Sequence, residues 1–217
     1  MPNYIVVDLE MCKVPRHMKT EEFRIKHEII QIGAVKLNEE YEEVSRFSTY
    51  VHPQFGSIDG FISNLTGISR NNVKEAPTIE TAINEFLNWI GTEESICVSW
   101  SMTDKYQFIK EMEGKGIENE RMNLFFETWV DCQQVFTEVV DTGRIWSLEE
   151  AIYASGINQE GNMHDGLMDS VNTASLYRKL MTEEDFKMVE AYENGRHKDI
   201  DHLSYNLGDL LREINFA

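Results

Sequence analysis

The apolar residues change period several times along the chain, and each change marks a predicted element. Tyr4 to Leu9 is a short β-branched run, Ile29 to Leu37 a second and Ser45 to Val51 a third, the last two meeting across the polar turn Asn38-Glu39-Glu40. They predict three strands near the start, the second and third forming a hairpin. His52 to Thr66 shows no period and is expected to be irregular. From Thr78 to Gly91, Ile79, Ala82, Ile83, Phe86, Leu87 and Ile90 recur at helical spacing behind Pro77, which predicts an amphipathic helix. Ser95 to Trp100 then reads as a compact strand, and Asp104 to Glu113 as a helix turning Tyr106, Phe108, Ile109 and Met112 inward.

Phe125 to Asp131 reads as a further strand, followed by helices over Gln133 to Val140 and Ser147 to Ser155. Ser147 and Glu150 open the second of these as a capping-box pair. Met168 to Leu180 and Glu183 to Tyr192 are helical in pattern, and the polar break GRHKDID precedes a last helical piece from Leu207 to Ile214. Strands first, then strands alternating with helices, predict an α/β fold: a mixed sheet covered by helices, in a single domain over residues 1–217.

Composition adds a constraint and an apparent contradiction. At 217 residues and 41% hydrophobic the chain can bury a sizeable core. Asp plus Glu number 38 against 20 Lys plus Arg, a net charge of −18, and that sign repels phosphate backbones. The amino terminus, MPNYIVVDLEMC, has neither the basic n-region nor the cleavage site of a signal peptide, and no apolar stretch nears the roughly 20 residues that span a bilayer. Cys12, Cys97 and Cys132 are odd in number and widely spaced, so three reduced thiols in a cytoplasmic compartment are expected.

Some acids do not read as surface. Asp8 and Glu10 close an otherwise apolar strand at spacing two, which places both carboxylates on one face. A buried pair of this kind is costly unless a cation neutralises it; taken alone, it also fits a strand running out into solvent. Asp104 follows a predicted strand and opens a helix, where sites of open sheets collect and where an ordinary first-turn acid also belongs. Further on, Gly161-Asn162-Met163-His164-Asp165-Gly166 leads into the helix that bears Asp169. Five helical residues turn through about 500°, so His164 and Asp169 would diverge by about 140° unless His164 sits in the Gly-flanked loop before the helix. A loop histidine facing a helix-anchored acid suits a proton-transfer group beside a metal ligand; a lone histidine also serves as a cap or surface residue.

Together these residues carry a resemblance. Asp8-x-Glu10 on the first strand, Asp104 after a later one, and His164 with Asp169 five residues on resemble the DEDDh group of the DnaQ-like 3′-to-5′ exonucleases, which have the ribonuclease-H-like fold. The flanks agree: His27-Glu28-Ile29-Ile30-Gln31-Ile32-Gly33-Ala34-Val35 is similar to the family's second strand and Leu65-Thr66-Gly67-Ile68 to its substrate wedge. Cys97-Val98-Ser99-Trp100 and His164-x-Gly166 are most similar to ERI-type exonucleases and to the sporulation-inhibitor KapD proteins. Ser101, Thr103 and Met168 depart from residues common in relatives, and none is among the five site residues.

The resemblance implies a central mixed five-stranded sheet flanked by helices, a motif region over residues 3–180 and a carboxy-terminal helical extension. It implies a hydrolase that releases nucleoside 5′-monophosphates from the 3′ end of single-stranded RNA, with DNA as an alternative substrate. Two Mg²⁺ or Mn²⁺ ions would be held by Asp8, Glu10, Asp104 and Asp169, with His164 as the base. Met11, Leu65, Thr66, Trp100 and Thr103 would contact the terminal nucleotide. Oxygen ligands without Cys suit these hard cations, and a histidine near its ordinary pKa of roughly 6.5 suits the base. The alternatives are a DNA-editing enzyme, against which the Ser99-Trp100 environment leans, and a non-catalytic regulator, which would have no chemical reason to keep all five residues. A monomer and a homodimer both fit.

Met11 to His27 carries Lys13, Arg16, Lys19, Arg24 and Lys26 against only Glu21 and Glu22, a local reversal of sign that starts directly after Glu10. It reads as an approach that holds phosphates, or as a solvated loop. The −18 charge then excludes tight binding along a strand rather than nucleic acid itself.

Overall fold

The computed structural model of the chain describes residues 2–19 and 25–193. β1 (Asn3–Lys13) is followed by a 3-10 turn at Arg16–Met18, then β2 (His27–Leu37) and β3 (Glu43–Tyr50). Two short helices, α1 (Gly60–Thr66) and α2 (Arg70–Lys74), lead to α3 (Ile79–Ile90), β4 (Ser95–Ser99) and α4 (Thr103–Lys115). α5 (Glu120–Glu127), β5 (Val130–Asp131), α6 (Cys132–Val140), α7 (Leu148–Ala154), α8 (Gly166–Thr182) and α9 (Glu190–Glu193) complete the order. The strands form one mixed sheet in the order β3-β2-β1-β4-β5, with β1, β2 and β3 antiparallel and β1, β4 and β5 parallel.

β1 is central and buried on both faces, which is why its sequence reads apolar without alternation. Ile5, Val7 and Leu9 face one core with Ile83, Phe86 and Ile90 of α3 and Phe108 and Met112 of α4. Val6 faces the other, with Phe136 of α6, Ile152 of α7 and Leu176 of α8. Residues of even number on β1 therefore point toward α8, and Asp8 and Glu10 continue that row. The ladder slips at Glu10/Met11, where Gln31 pairs with Glu10 but Ile29 with Met11, leaving Ile30 as the extra residue of a bulge.

The mixed five-stranded sheet and its helical cover agree with the sequence reading, and Cys12, Cys97 and Cys132 are buried and unbonded to one another. Four local expectations are corrected. The irregular stretch contains α1, whose Asp59 cap accepts from Ile62 N at 2.9 Å and which Gly67 ends at φ 73°. Seven residues burying only Ile62 and Thr66 are too few to display a period. The strand expected over Phe125 to Asp131 shrinks to two residues, because Asn119 caps α5 and turns Met122 and Phe125 into the core at helical spacing. Tertiary packing overrides the β preference of the aromatic cluster there. Glu183 to Tyr192 is helical only at α9; Phe186 and Met188 pack on the second core, and Val189 N donates to Ala154 O at 2.8 Å. On α4, Tyr106 is 52% exposed rather than turned inward. The piece from Leu207 to Ile214 lies outside the described residues. No helix among those described is long and apolar enough to cross a membrane.

Candidate active site

Three elements bring the four acids together. Asp8 and Glu10 lie on the α8 side of β1. Asp104, in the first turn of α4, reaches the same strand from the end of β4, and its Oδ1 accepts from Leu9 N at 3.1 Å. Asp169, in the first turn of α8, is delivered by an unusually close helix-to-strand approach at Gly33, the residue paired with Asp8. A Cβ on Gly33 would collide with the backbone of Gly166 and Leu167, and one on Gly166 would lie 3.2 Å from Asp8 O. Gln31, 3% exposed, fixes that contact: its Oε1 accepts from Gly166 N at 3.1 Å, and its Nε2 donates to Asp165 Oδ1 at 3.4 Å and Ser48 Oγ at 3.3 Å. Asp165 caps α8 by accepting from Leu167 N and Met168 N.

His164 stands in the turn before α8 with φ 64°, so its backbone is left-handed. This places His164 N 2.8 Å from Asp169 Oδ2, to which it donates. One ligand atom each from Glu10, His164 and Asp169 lie within 4.8 Å of one another. The loop position resolves the 140° divergence that a continuous helix would impose.

The electrostatics are those of an anionic pocket in want of positive charge. Glu10, Asp104 and Asp169 are 2%, 6% and 6% exposed. Desolvation pushes the carboxyls of Asp104 and Asp169 up to about 7; hydrogen bonds from Leu9 N and His164 N oppose the rise, and neighbouring carboxylates add to it. Asp8 and Glu10 lie well above the usual carboxylate range for the same first cause, reinforced by the charges of their neighbours. Burial lowers the pKa of His164, favouring the neutral imidazole. Glu10 Oε2 and Asp169 Oδ1 are buried without a hydrogen-bond partner, a state that costs about 1–3 kcal/mol per group or more when charged. A hard divalent cation satisfies the orphaned acceptors and the charge together, so the residues fit such an ion.

The residues expected at the terminal nucleotide are placed unequally. Met11 follows Glu10 on β1 and is 3% exposed. Leu65 is half-buried on α1, and Thr66 Oγ1 donates to Ile62 O at 2.9 Å within that helix. Thr103 is half-buried at the start of α4. Trp100 is 7% exposed and packs on Phe136 in the core, while Ser99 accepts from Trp129 Nε1 at 2.8 Å and donates to Ser101 O at 2.5 Å. Ser99 and Trp100 are thus both held in the interior at the end of β4, with Trp100 Nε1 left without a hydrogen-bond partner.

Gln31 and Asp165 had no role in the sequence reading. Their signal was available: Gln31 is the one amide in the apolar run Ile29 to Val35, and Gly33 interrupts the same strand where a close approach is needed. A second buried network supports α1. Lys115 Nζ lies 2.5 Å from Glu28 Oε1 and 2.8 Å from Glu111 Oε1, and Glu28 accepts from the backbone of Gln54, Phe55 and Gly56. It holds the loop that leads into α1, and with it Leu65 and Thr66.

The family model described as Exonuclease, of the RNase T type, matches residues 5–177. The chain is 30% identical over 189 residues to the DNA polymerase III subunit epsilon of Aquifex aeolicus, covering 85% of this chain and 83% of that one. It is 28% identical over 185 residues to ERI1 exoribonuclease 2 of Xenopus laevis, covering 72% of this chain and 26% of that one. The chain spans about a quarter of the length of several such relatives. Among solved structures, the nuclease domain of 3′hExo, a DEDDh family member bound to rAMP, superposes with a TM-score of 0.68 at 20% identity, over 87% of this chain and 96% of that one. With the family model spanning most of its length and the four acids and the histidine meeting at one place, the chain belongs to the RNase T exonuclease family, in its DEDDh 3′-to-5′ exonuclease group.

Proposed function

We propose that the chain is a divalent-metal-dependent 3′-to-5′ exonuclease that trims single-stranded RNA and releases nucleoside 5′-monophosphates. The observation that carries this is the convergence of four buried or half-buried carboxylates from β1, α4 and α8, two of them with orphaned oxygens, on a histidine held in a strained turn. Asp8, Glu10, Asp104 and Asp169 would hold the ions between them. Ions bound there would supply Lewis-acid stabilisation of charge on the phosphate and lower the pKa of a water.

The chain's own residues do the rest. His164, neutral at physiological pH, accepts the proton of the attacking water through its imidazole, while its backbone N–H keeps Asp169 oriented. Thr103, the residue before Asp104 on α4, and Leu65 on α1 border the terminal nucleotide, and Met11 backs it. α8 directs the positive end of its dipole toward the developing negative charge. Hydrolysis breaks the bond from phosphorus to the 3′-oxygen of the preceding nucleotide, and the departing monophosphate keeps its 5′-phosphate.

RNA is favoured because ERI1 exoribonuclease 2 and 3′-5′ exoribonuclease 1 are relatives over 72% of the chain, and 3′hExo is described with rAMP bound. A DNA-editing role is the second reading, favoured by the more even coverage of the polymerase subunit. Initial rates on single-stranded RNA and DNA of one sequence, with Mg²⁺ and with Mn²⁺ and with the mononucleotide product identified by chromatography, separate the two. Faster RNA turnover supports the proposal, and faster DNA turnover transfers it to editing.

A further inference from the structure

A group of cations at the far end of β1 lies outside the site just described. Lys13 closes β1 and pairs with His27, the first residue of β2, and Val14 N donates to the carbonyl of Lys26 at 2.9 Å. Gln107 of α4 donates to His27 O at 2.9 Å, which brings Lys110, one turn further along that helix, to the same place. The half-buried His27 reports the gathering: burial first, then the charges of Lys19, Lys13, Lys26 and Lys110, push it down to about 4. Among the described residues, no carboxylate stands within ion-pair distance of Lys13, Lys19 or Lys110. On a chain of net charge −18 this is a concentrated reversal of sign.

The patch shares two elements with the carboxylate cluster, β1 and α4, and lies on the other side of each. Lys13 is three residues beyond Glu10 on β1, about 10 Å at the rise of a strand. Lys110 lies on α4, whose first turn holds Asp104. Between them on that helix stands Tyr106, 52% exposed and four residues before Lys110, hence on the same side. An exposed ring among cations matches single-stranded nucleic acid, whose bases stack while its phosphates follow the charges. An acidic peptide would use the charges and leave the ring idle.

We infer that a single strand bound by its 3′ end leaves the carboxylate cluster round the first turn of α4 and follows that helix's exposed face, with one base stacked on Tyr106 and its phosphates held by Lys13 and Lys110. This rests on the exonuclease reading for the identity of the ligand, and it assigns binding to residues remote from the hydrolytic step. The probe is a 5′-fluorescein-labelled 12-nucleotide RNA, with binding read by anisotropy in EDTA, where no cleavage competes. Turnover of the same 12-mer and of a dinucleotide is read with Mn²⁺.

The double variant Lys13→Gln/Lys110→Gln is expected to flatten the slope of log affinity against log salt by about 1.4, at about 0.7 per lost phosphate contact on a single strand. Tyr106→Ala is expected to weaken 12-mer binding about five-fold or more. In both, the 12-mer to dinucleotide ratio of kcat/KM falls by a similar factor. Unchanged 12-mer binding in both variants, or an unchanged ratio, overturns the track. So does poly-glutamate that displaces the RNA with equal affinity while Tyr106→Ala has no effect, which would assign the surface to an acidic protein. If the wild-type protein binds the 12-mer, the variants lose it, and nothing is cleaved with any metal, the track stands and the nuclease reading falls.

Discussion

His164 shows how much one residue's backbone conformation decides. At φ 64° its amide serves Asp169 and its ring stays near the carboxylates, whereas a helical His164 would face away. His164→Ala keeps the backbone and removes the ring, so turnover is expected to fall about 10²–10⁴-fold, the usual contribution of a general base, while calorimetric Mn²⁺ binding persists. Asp104 makes the complementary case. Its carboxyl sits at about 7 in the folded chain against an ordinary 3.8, so the metal-free protein holds a proton there that the unfolded chain releases, and stability drops as pH rises between those values. Asp104→Asn retains the acceptor for Leu9 N and removes the charge. In EDTA its Tm is expected above wild type at pH 8, with the difference vanishing near pH 4, as scanning calorimetry can read. The same protons must leave when an ion binds, so Mn²⁺ affinity in the wild type is expected to rise from pH 6 to pH 8, with proton uptake by the buffer. Each acid and the histidine, taken alone, also fitted an ordinary surface, first-turn or capping role, and only their order along the chain, which resembles that of the exonuclease family, set them apart. Gln31 was not legible: one amide in an apolar strand is a weak signal until its partners, Gly166 and Asp165, are known.

At the scale of elements, the site depends on the contact between α8 and β2. Gly33→Ala drives a methyl group into the backbone of α8, where neither side can yield by rotating a side chain. A loss of about 1–3 kcal/mol in urea denaturation is expected, the cost of overpacking, with activity falling further than stability because Asp169 and His164 move together. The principal elements were readable where their apolar residues fill a long face, as in α3, whose six predicted inward residues are all buried. α1, α5 and β5 were missed or misdrawn because short elements take their conformation from caps and neighbours, and neither appears in a period. Tyr106 was misplaced for a related reason: on α4 the inward stripe runs through Asp104, Gln107, Phe108, Glu111 and Met112, and the polar members of that stripe are the ones with functional or network partners.

Across the whole molecule, charge is partitioned rather than averaged. Carboxylates that would repel an RNA are drawn into one pocket beside β1, cations gather at the end of that strand, and Lys115 neutralises Glu28 and Glu111 in the interior. Lys115→Met would strand both of those acids in the core. A loss of about 3–5 kcal/mol is expected from chemical denaturation, with the loop before α1 loosened and the KM for RNA raised through Leu65 and Thr66. If the carboxylate pocket hydrolyses nucleic acid from the 3′ end with divalent ions, the polarity of cleavage must show it. One single-stranded RNA is labelled in separate samples at its 5′ and 3′ ends, incubated with Mn²⁺, with EDTA, or with Asp8→Asn protein, and resolved on a denaturing gel. A 5′-labelled ladder that shortens one nucleotide at a time, immediate release of the 3′ label as a mononucleotide, and neither in EDTA or with Asp8→Asn is the expected result. Internal fragments from both labels, shortening from the 5′ end, or cleavage that survives Asp8→Asn would overturn the assignment of this pocket as a 3′-to-5′ exonuclease site.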